Sequence, residues 1–171
     1  GPLLYGDSAA GDIYLNAGLS PADKAKVVSE LVGILRAHPQ VAAAFTAEEL
    51  AQAPIPTGSP DEWTVLERAR ASYYPGRTGD VLVLLKRGVV PIPDPNAGYV
   101  ATHGSVWNYD RRVPILFWRK GLAPMEQPAP VETVDIAPSL AAVLKFSVPE
   151  GAFDGRCLDI DGGPGDTCSV K

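Results

Sequence analysis

Several functional classes are missing from this sequence before any is present. There is no glycine-rich phosphate loop ending in Gly-Lys-Ser/Thr, no Gly-x-Gly-x-x-Gly, no Gly-x-Ser-x-Gly nucleophile turn and no Cys-x-x-Cys pair. Those gaps exclude a P-loop nucleotidase, a dinucleotide-binding unit, an α/β-hydrolase elbow and a thiol redox centre. Basic runs are lacking too: Lys and Arg are scattered except for Arg111-Arg112, and the formal net charge is −5. A nucleic-acid surface is therefore not expected. No apolar stretch approaches the ~20 residues of a membrane span, and the longest runs, Val81 to Leu85 and Val113 to Trp118, have strand length. No signal-peptide pattern opens the chain. Histidine is scarce, with only His38 and His103. Neither has Asp three residues earlier, so Gly6-Asp7-Ser8 lacks the histidine base a GDSL-type esterase needs and reads as a turn. Two cysteines, Cys157 and Cys168, flank Gly162-Gly163-Pro164-Gly165. That run folds back easily, so a disulfide is expected, in keeping with an oxidising compartment.

What is present reads as an alternation of strands and helices. Gly11 to Asn16 is a short strand. Ser20-Pro21-Ala22-Asp23 starts a helix, with serine as N-cap, proline at the first position and an acid at the third. Val27, Leu31, Ile34 and Leu35 give it an apolar face, and it stops at His38-Pro39. Val41 to Phe45 is a second strand, and Thr46 with Glu49 forms a capping box for a short helix. Ser59-Pro60-Asp61-Glu62 is a further helix start. Asp80 to Lys86 reads as a strand buried on both faces. A proline-rich loop follows, then a short strand Tyr99 to Thr102 that His103-Gly104 leaves, and a buried strand Val113 to Trp118. Asp135 is placed to cap a helix whose buried stripe is Leu140, Val143 and Leu144. The expected fold class is α/β, a mixed sheet flanked by helices, and 1–171 reads as a single lobe with no clear internal boundary.

His38 sits at a helix C-terminus, where an imidazole suits the macrodipole, so it needs no functional explanation. His103 follows a predicted strand and precedes a glycine, at the kind of sheet rim where α/β sites gather. A zinc site nevertheless needs three or four ligands, and one histidine is not enough. On its own chemistry His103 remains an ordinary loop histidine.

A wider pattern alters its weight. Ser72-Tyr73-Tyr74-Pro75-Gly76-Arg77-Thr78-Gly79-Asp80 before the strand Val81 to Lys86 resembles a segment of the alkaline phosphatase superfamily, in its branch of phosphate-irrepressible alkaline phosphatases and type I phosphodiesterases. So does Ala101-Thr102-His103-Gly104-Ser105 followed by Tyr109 to Ile115, and so does Val131-Glu132-Thr133-Val134-Asp135-Ile136-Ala137-Pro138-Ser139-Leu140, in that order and continuing to Asp154-Gly155-Arg156-Cys157-Leu158. About half of the chain carries the likeness well, the front half only loosely through Gly11 to Leu15. The resemblance implies the C-terminal part of a larger catalytic domain, in which two zinc ions clamp a phosphate ester and His103 is one metal ligand. The family's other ligands come as Asp-x-x-x-His and Asp-His. Residues 34 and 99 are Ile and Tyr, and no Asp directly precedes a histidine. The nucleophile, the remaining ligands and the phosphate-binding basic residues are accordingly expected in an N-terminal remainder of the same protein. The 171 residues alone would then be inactive, and the whole enzyme periplasmic or secreted. Phosphomonoester and phosphodiester preference are not separable here, because Val106-Trp107-Asn108 stands where the family often has Pro-Tyr-Asp. Asp110 is a candidate to orient the His103 loop or to accept a hydrogen bond from a metal ligand, Trp107 either packs or stacks on substrate, and Arg77 with Asp80 is expected to brace the turn at Gly79. The rival from another class is a non-catalytic folded module that binds a partner.

Overall fold

The computed structural model describes all residues except 7–10, 93, 95, 97, 99 and 169–171. Asp7, Ser8 and Tyr99, each part of an expectation above, therefore lie outside the described residues. The contacts separate two compact units, Gly1–Gly58 with Glu62–Val113, and Ser59–Asp61 with Pro114–Lys171. Each is described by itself.

The first unit is a four-stranded sheet between helices. Its strands are β1 (Leu4–Tyr5), β2 (Asp12–Leu15), β3 (Val41–Thr46) and β4 (Val81–Leu85), in the spatial order β1-β2-β4-β3. Every pairing is antiparallel. The α/β architecture is the expected one, and β4 is buried as its apolar run implied. Successive β4 side chains point to opposite faces. Val81 enters a cluster with Ala44 and Val32, packed by Ile13, Val28, Leu31 and Leu35. Leu82 and Leu84 enter another with Leu50 and Ala69. Helix α1 (Pro21–Ala37) thus covers one face, while α2 (Ala47–Gln52) and α3 (Val65–Ala71) cover the other.

Ser20 caps α1 by accepting from the Asp23 amide. The apolar stripe is Val28, Leu31, Val32 and Leu35, at the i, i+3, i+4, i+7 spacing of one face. Ile34 falls off that stripe and is exposed, contrary to expectation. Thr46 and Glu49 close the expected capping box, and Glu49 also receives Arg36 at 2.9 Å. Burial works against its charge, but the Arg36 and Thr46 hydrogen bonds outweigh that and hold its carboxyl below the usual range. Thr46→Ala should lower stability by about 1 kcal/mol, read as a shift of the urea midpoint without a change of slope. A change below a few tenths would mean the box is idle.

The next helix begins later than Ser59-Pro60-Asp61-Glu62 suggested. Thr64 caps α3 in a second reciprocal box with Glu67. Of two overlapping start signals, the one that satisfies both a helix donor and the cap amide prevails. The Gly79 turn also differs from expectation. Asp80 accepts from the Leu15 amide at 2.7 Å and faces Lys24 Nζ at 3.8 Å, whereas Arg77 stacks over Tyr74. Gly79 itself donates to Asp12 at 2.7 Å, and a Cβ there would meet the Ile13 backbone nitrogen at 2.9 Å.

In the second unit a 3-10 turn, Thr133–Asp135, leads into helix α5 (Ile136–Leu144). Asp135 stands at the N-cap position, but its side chain makes no cap bond. It is buried, accepting from the amides of Glu132 at 3.0 Å and Arg156 at 2.9 Å. Ser139, fully buried, donates to the Asp135 carbonyl at 2.6 Å and accepts from Leu158 at 2.9 Å. The buried side of α5 is therefore this polar one, and Leu140 and Leu144 of the expected stripe are exposed. Cys157 and Cys168 form the expected disulfide, with Cα atoms 5.8 Å apart. Closing so short a loop is worth about 3 kcal/mol in the chain-entropy model. Val113 to Trp118 is not the buried strand its composition predicts. It carries no regular structure, and Leu116 and Trp118 are 88% and 85% exposed. The described residues 100–102 likewise form no strand. Among the described residues no helix is long and apolar enough to cross a membrane.

Candidate metal-ligand loop

His103 lies exposed in the loop that follows the proline-rich segment, and Gly104 behind it takes φ +100°, a left-handed region where a side chain is strained. The glycine lets the chain reverse directly after the imidazole. Ser105 then fastens the turn: its amide donates to Asp110 Oδ2 at 2.9 Å. The Ser105 hydroxyl and amide, with a small contribution from the His103 imidazole, hold the Asp110 carboxyl below the usual range against a slight burial cost. Asp110 sits in the short helix α4 (Asn108–Arg111), whose first turn closes on the Trp107 carbonyl at 2.9 and 3.0 Å. Orienting the loop, the role considered for Asp110, matches these bonds.

Further contacts bolt the segment to the rest of the first unit. The Trp107 indole donates to the Leu85 carbonyl, the last residue of β4, at 3.0 Å. Trp107 is therefore an anchor whose N–H is already committed. Arg68 of α3 donates to the Val106 carbonyl at 3.0 Å and to the Trp63 carbonyl at 2.8 Å. The Gly88 amide donates to the Tyr109 hydroxyl at 3.1 Å, and Arg87 lies over the Tyr109 ring. Val106 packs against the Leu50–Leu84 cluster. Arg68 and Tyr109 were not singled out from sequence. An arginine in a helix's last turn reads as a dipole partner, and nothing in its spacing pointed 38 residues ahead.

His38 is committed elsewhere. Its Nδ1 accepts from the Gln40 amide at 3.2 Å, just beyond the end of α1. Cys157 and Cys168 are bonded to each other. Among the described residues no three His, Cys, Asp or Glu side chains converge as a metal cage. The donor set thus fits one ligand to a metal, not a whole site.

Fold and loop together are those of a layered α/β lobe that holds out a single imidazole on a braced turn. No family model matches the sequence. It is 53% identical over 168 residues to alkaline phosphatase PhoK of Sphingomonas, covering 98% of this chain and 30% of that protein. It is 52% identical over 170 residues to alkaline phosphatase PhoD of Zymomonas mobilis, covering 99% and 29%. Alkaline phosphatase PafA of Elizabethkingia meningoseptica is 30% identical over 129 residues, covering 75% and 22%. A crystal structure of wild-type PafA superposes with a TM-score of 0.69 at 23% identity, over 94% of this chain and 29% of that one, and so shares its fold. The chain belongs to the alkaline phosphatase superfamily. It spans about 30% of the length of the curated relatives it matches.

Proposed function

We propose that this chain is the C-terminal portion of a zinc-dependent phosphate-ester hydrolase and that His103 is one of its metal ligands. The observation that carries the reading is the braced loop: an exposed imidazole on a turn whose following residues Ser105, Val106 and Trp107 are tied down, in a chain whose other histidine accepts a backbone amide through Nδ1. Rigidity of this kind is what a ligand needs, since a misplaced donor binds metal weakly. Bound zinc supplies charge that stabilises the ester's oxygens and activates a nucleophile. In this chain His103 would present a neutral nitrogen, the Ser105–Asp110 bond would fix the turn, and Trp107 and Arg68 would hold it against the sheet. The nucleophile and the remaining ligands belong to the N-terminal remainder of the longer protein. The disulfide suits a periplasmic or secreted enzyme.

The test uses the full-length protein with p-nitrophenyl phosphate and bis-p-nitrophenyl phosphate. Turnover of at least one should vanish on chelation and return with zinc, while residues 1–171 alone release no p-nitrophenol. Turnover that survives chelation, or zinc-dependent turnover by the 171 residues, overturns the reading.

A further inference from the structure

β3 is the outermost of the described strands on its side of the sheet. The Val83 amide donates to the Gly11 carbonyl at 2.9 Å, so the main chain of Val83 is turned toward β2. Its partner on β3 is Ala44. In an antiparallel ladder, a pair that does not exchange hydrogen bonds turns its N–H and C=O groups away from each other. Ala44, and Thr46 two residues on, therefore aim their main-chain groups at the free edge, where another strand could add. Side chains fill that edge instead. Arg36, in the last turn of α1, donates to the Ala44 carbonyl through Nε at 3.0 Å and Nη2 at 2.8 Å. Glu49 of α2 accepts from the Thr46 amide at 2.8 Å. Arg36 Nη2 also donates to both Glu49 oxygens at 2.9 Å. Because α1 and α2 cover opposite faces, this ion pair reaches around the edge of the sheet.

We infer that the Arg36–Glu49 pair is a clasp that holds the outer edge of β3 closed to strand addition, and that a second copy of this chain is what the opened edge would take. The strand suits self-pairing, since Val41 to Phe45 carries no charge. Antiparallel pairing about a two-fold axis at Ala44 sets Ala42 opposite Thr46 and Gln40 opposite Glu48, so no like charges meet. Helix capping does not account for Arg36, because the box at the start of α2 is complete with Thr46 and Glu49 alone. Nor does stability, since the two side chains are 48% and 45% exposed and such a pair contributes little. Its position accounts for it: one planar fork satisfies a carbonyl that faces the edge and a carboxylate that covers the next amide.

Arg36→Met in the full-length protein tests this, because it keeps the side-chain stem and removes the guanidinium. At equal concentration, sedimentation should give the variant about twice the mass of the unaltered protein. Its Ala44 amide should exchange at least about tenfold more slowly in the associated form than after dilution. Glu49→Gln keeps a residue fit for the capping box but loosens the hold on Arg36, and should shift the mass in the same direction by less. A folded Arg36→Met variant with the mass of the unaltered protein overturns the inference. Association that leaves the Ala44 amide exchanging at one rate at every dilution also overturns it, since the contact then lies elsewhere. Should Arg36→Met fail to fold, Glu49→Gln decides alone, and an unchanged mass overturns the inference. Neither readout involves metal or turnover, so the result is independent of the hydrolysis test.

Discussion

Replacing His103 by alanine in the full-length protein should cut turnover by about 100-fold or more and cost one bound zinc, with the fold intact. The side chain is exposed and contributes little packing, so its loss should not move the unfolding transition appreciably. If His103 is the ligand proposed above, the variant would lack one ligand nitrogen, and the metal that supplies charge to the ester's oxygens would be held less firmly. His38→Ala is the matched control. It removes the acceptor for the Gln40 amide at the end of α1, a local cost with no route to the chemistry. Metal content and rate are to be measured on both variants side by side. If His103→Ala keeps two zinc ions and a normal rate, His103 is not a ligand.

Asp135→Ala should be the most destabilising single change in the second unit, by about 3 kcal/mol. Asp135 is 2% exposed, and its carboxylate receives two backbone amides, 3 and 21 residues away in sequence, with the Arg156 guanidinium at 3.8 Å. Truncation leaves the part-buried Glu132 and Arg156 amides without their acceptor. The neighbouring contact is close as well: a Cβ on Gly155 would collide with the Val134 carbonyl, so the chain has little room to readjust. Denaturant unfolding gives the energy, and hydrogen exchange in α5 gives the location. A loss below about 1 kcal/mol, or one spread equally over α1, would show that Asp135 is not the hub.

Much of the first unit was legible in the sequence because its signals are local. Ser20-Pro21 with Asp23, and Thr46 with Glu49, each state a cap in four residues, and the run Val81 to Leu85 states a buried strand by composition. The misreadings arose where the deciding partner is distant in sequence. Ile34 fits an apolar list, but only the sheet's position settles which stripe of α1 is buried. Ser139 is buried because Asp135 and Leu158 satisfy its hydroxyl, a reason no hydrophobic periodicity contains. Val113 to Trp118 has strand composition, yet it carries no regular structure. For the candidate site, Thr-His-Gly marked the imidazole and Asp110 was a natural brace. The anchoring through Arg68 and Tyr109 was invisible, since it joins segments whose proximity only the fold creates.

That anchoring has a consequence for how the loop withstands sequence drift. The three hydrogen bonds that the Arg68, Trp107 and Tyr109 side chains make to fix it each end on a main-chain atom: the carbonyls of Val106 and Leu85 and the amide of Gly88. Main-chain atoms are the same whatever side chain a position bears. Exchanges at residues 85 and 106 that preserve packing leave the grip on the loop unchanged, while the grip depends on the identity of three residues, Arg68, Trp107 and Tyr109. A turn held this way can tolerate exchange of the side chains beneath it and still keep the imidazole in place.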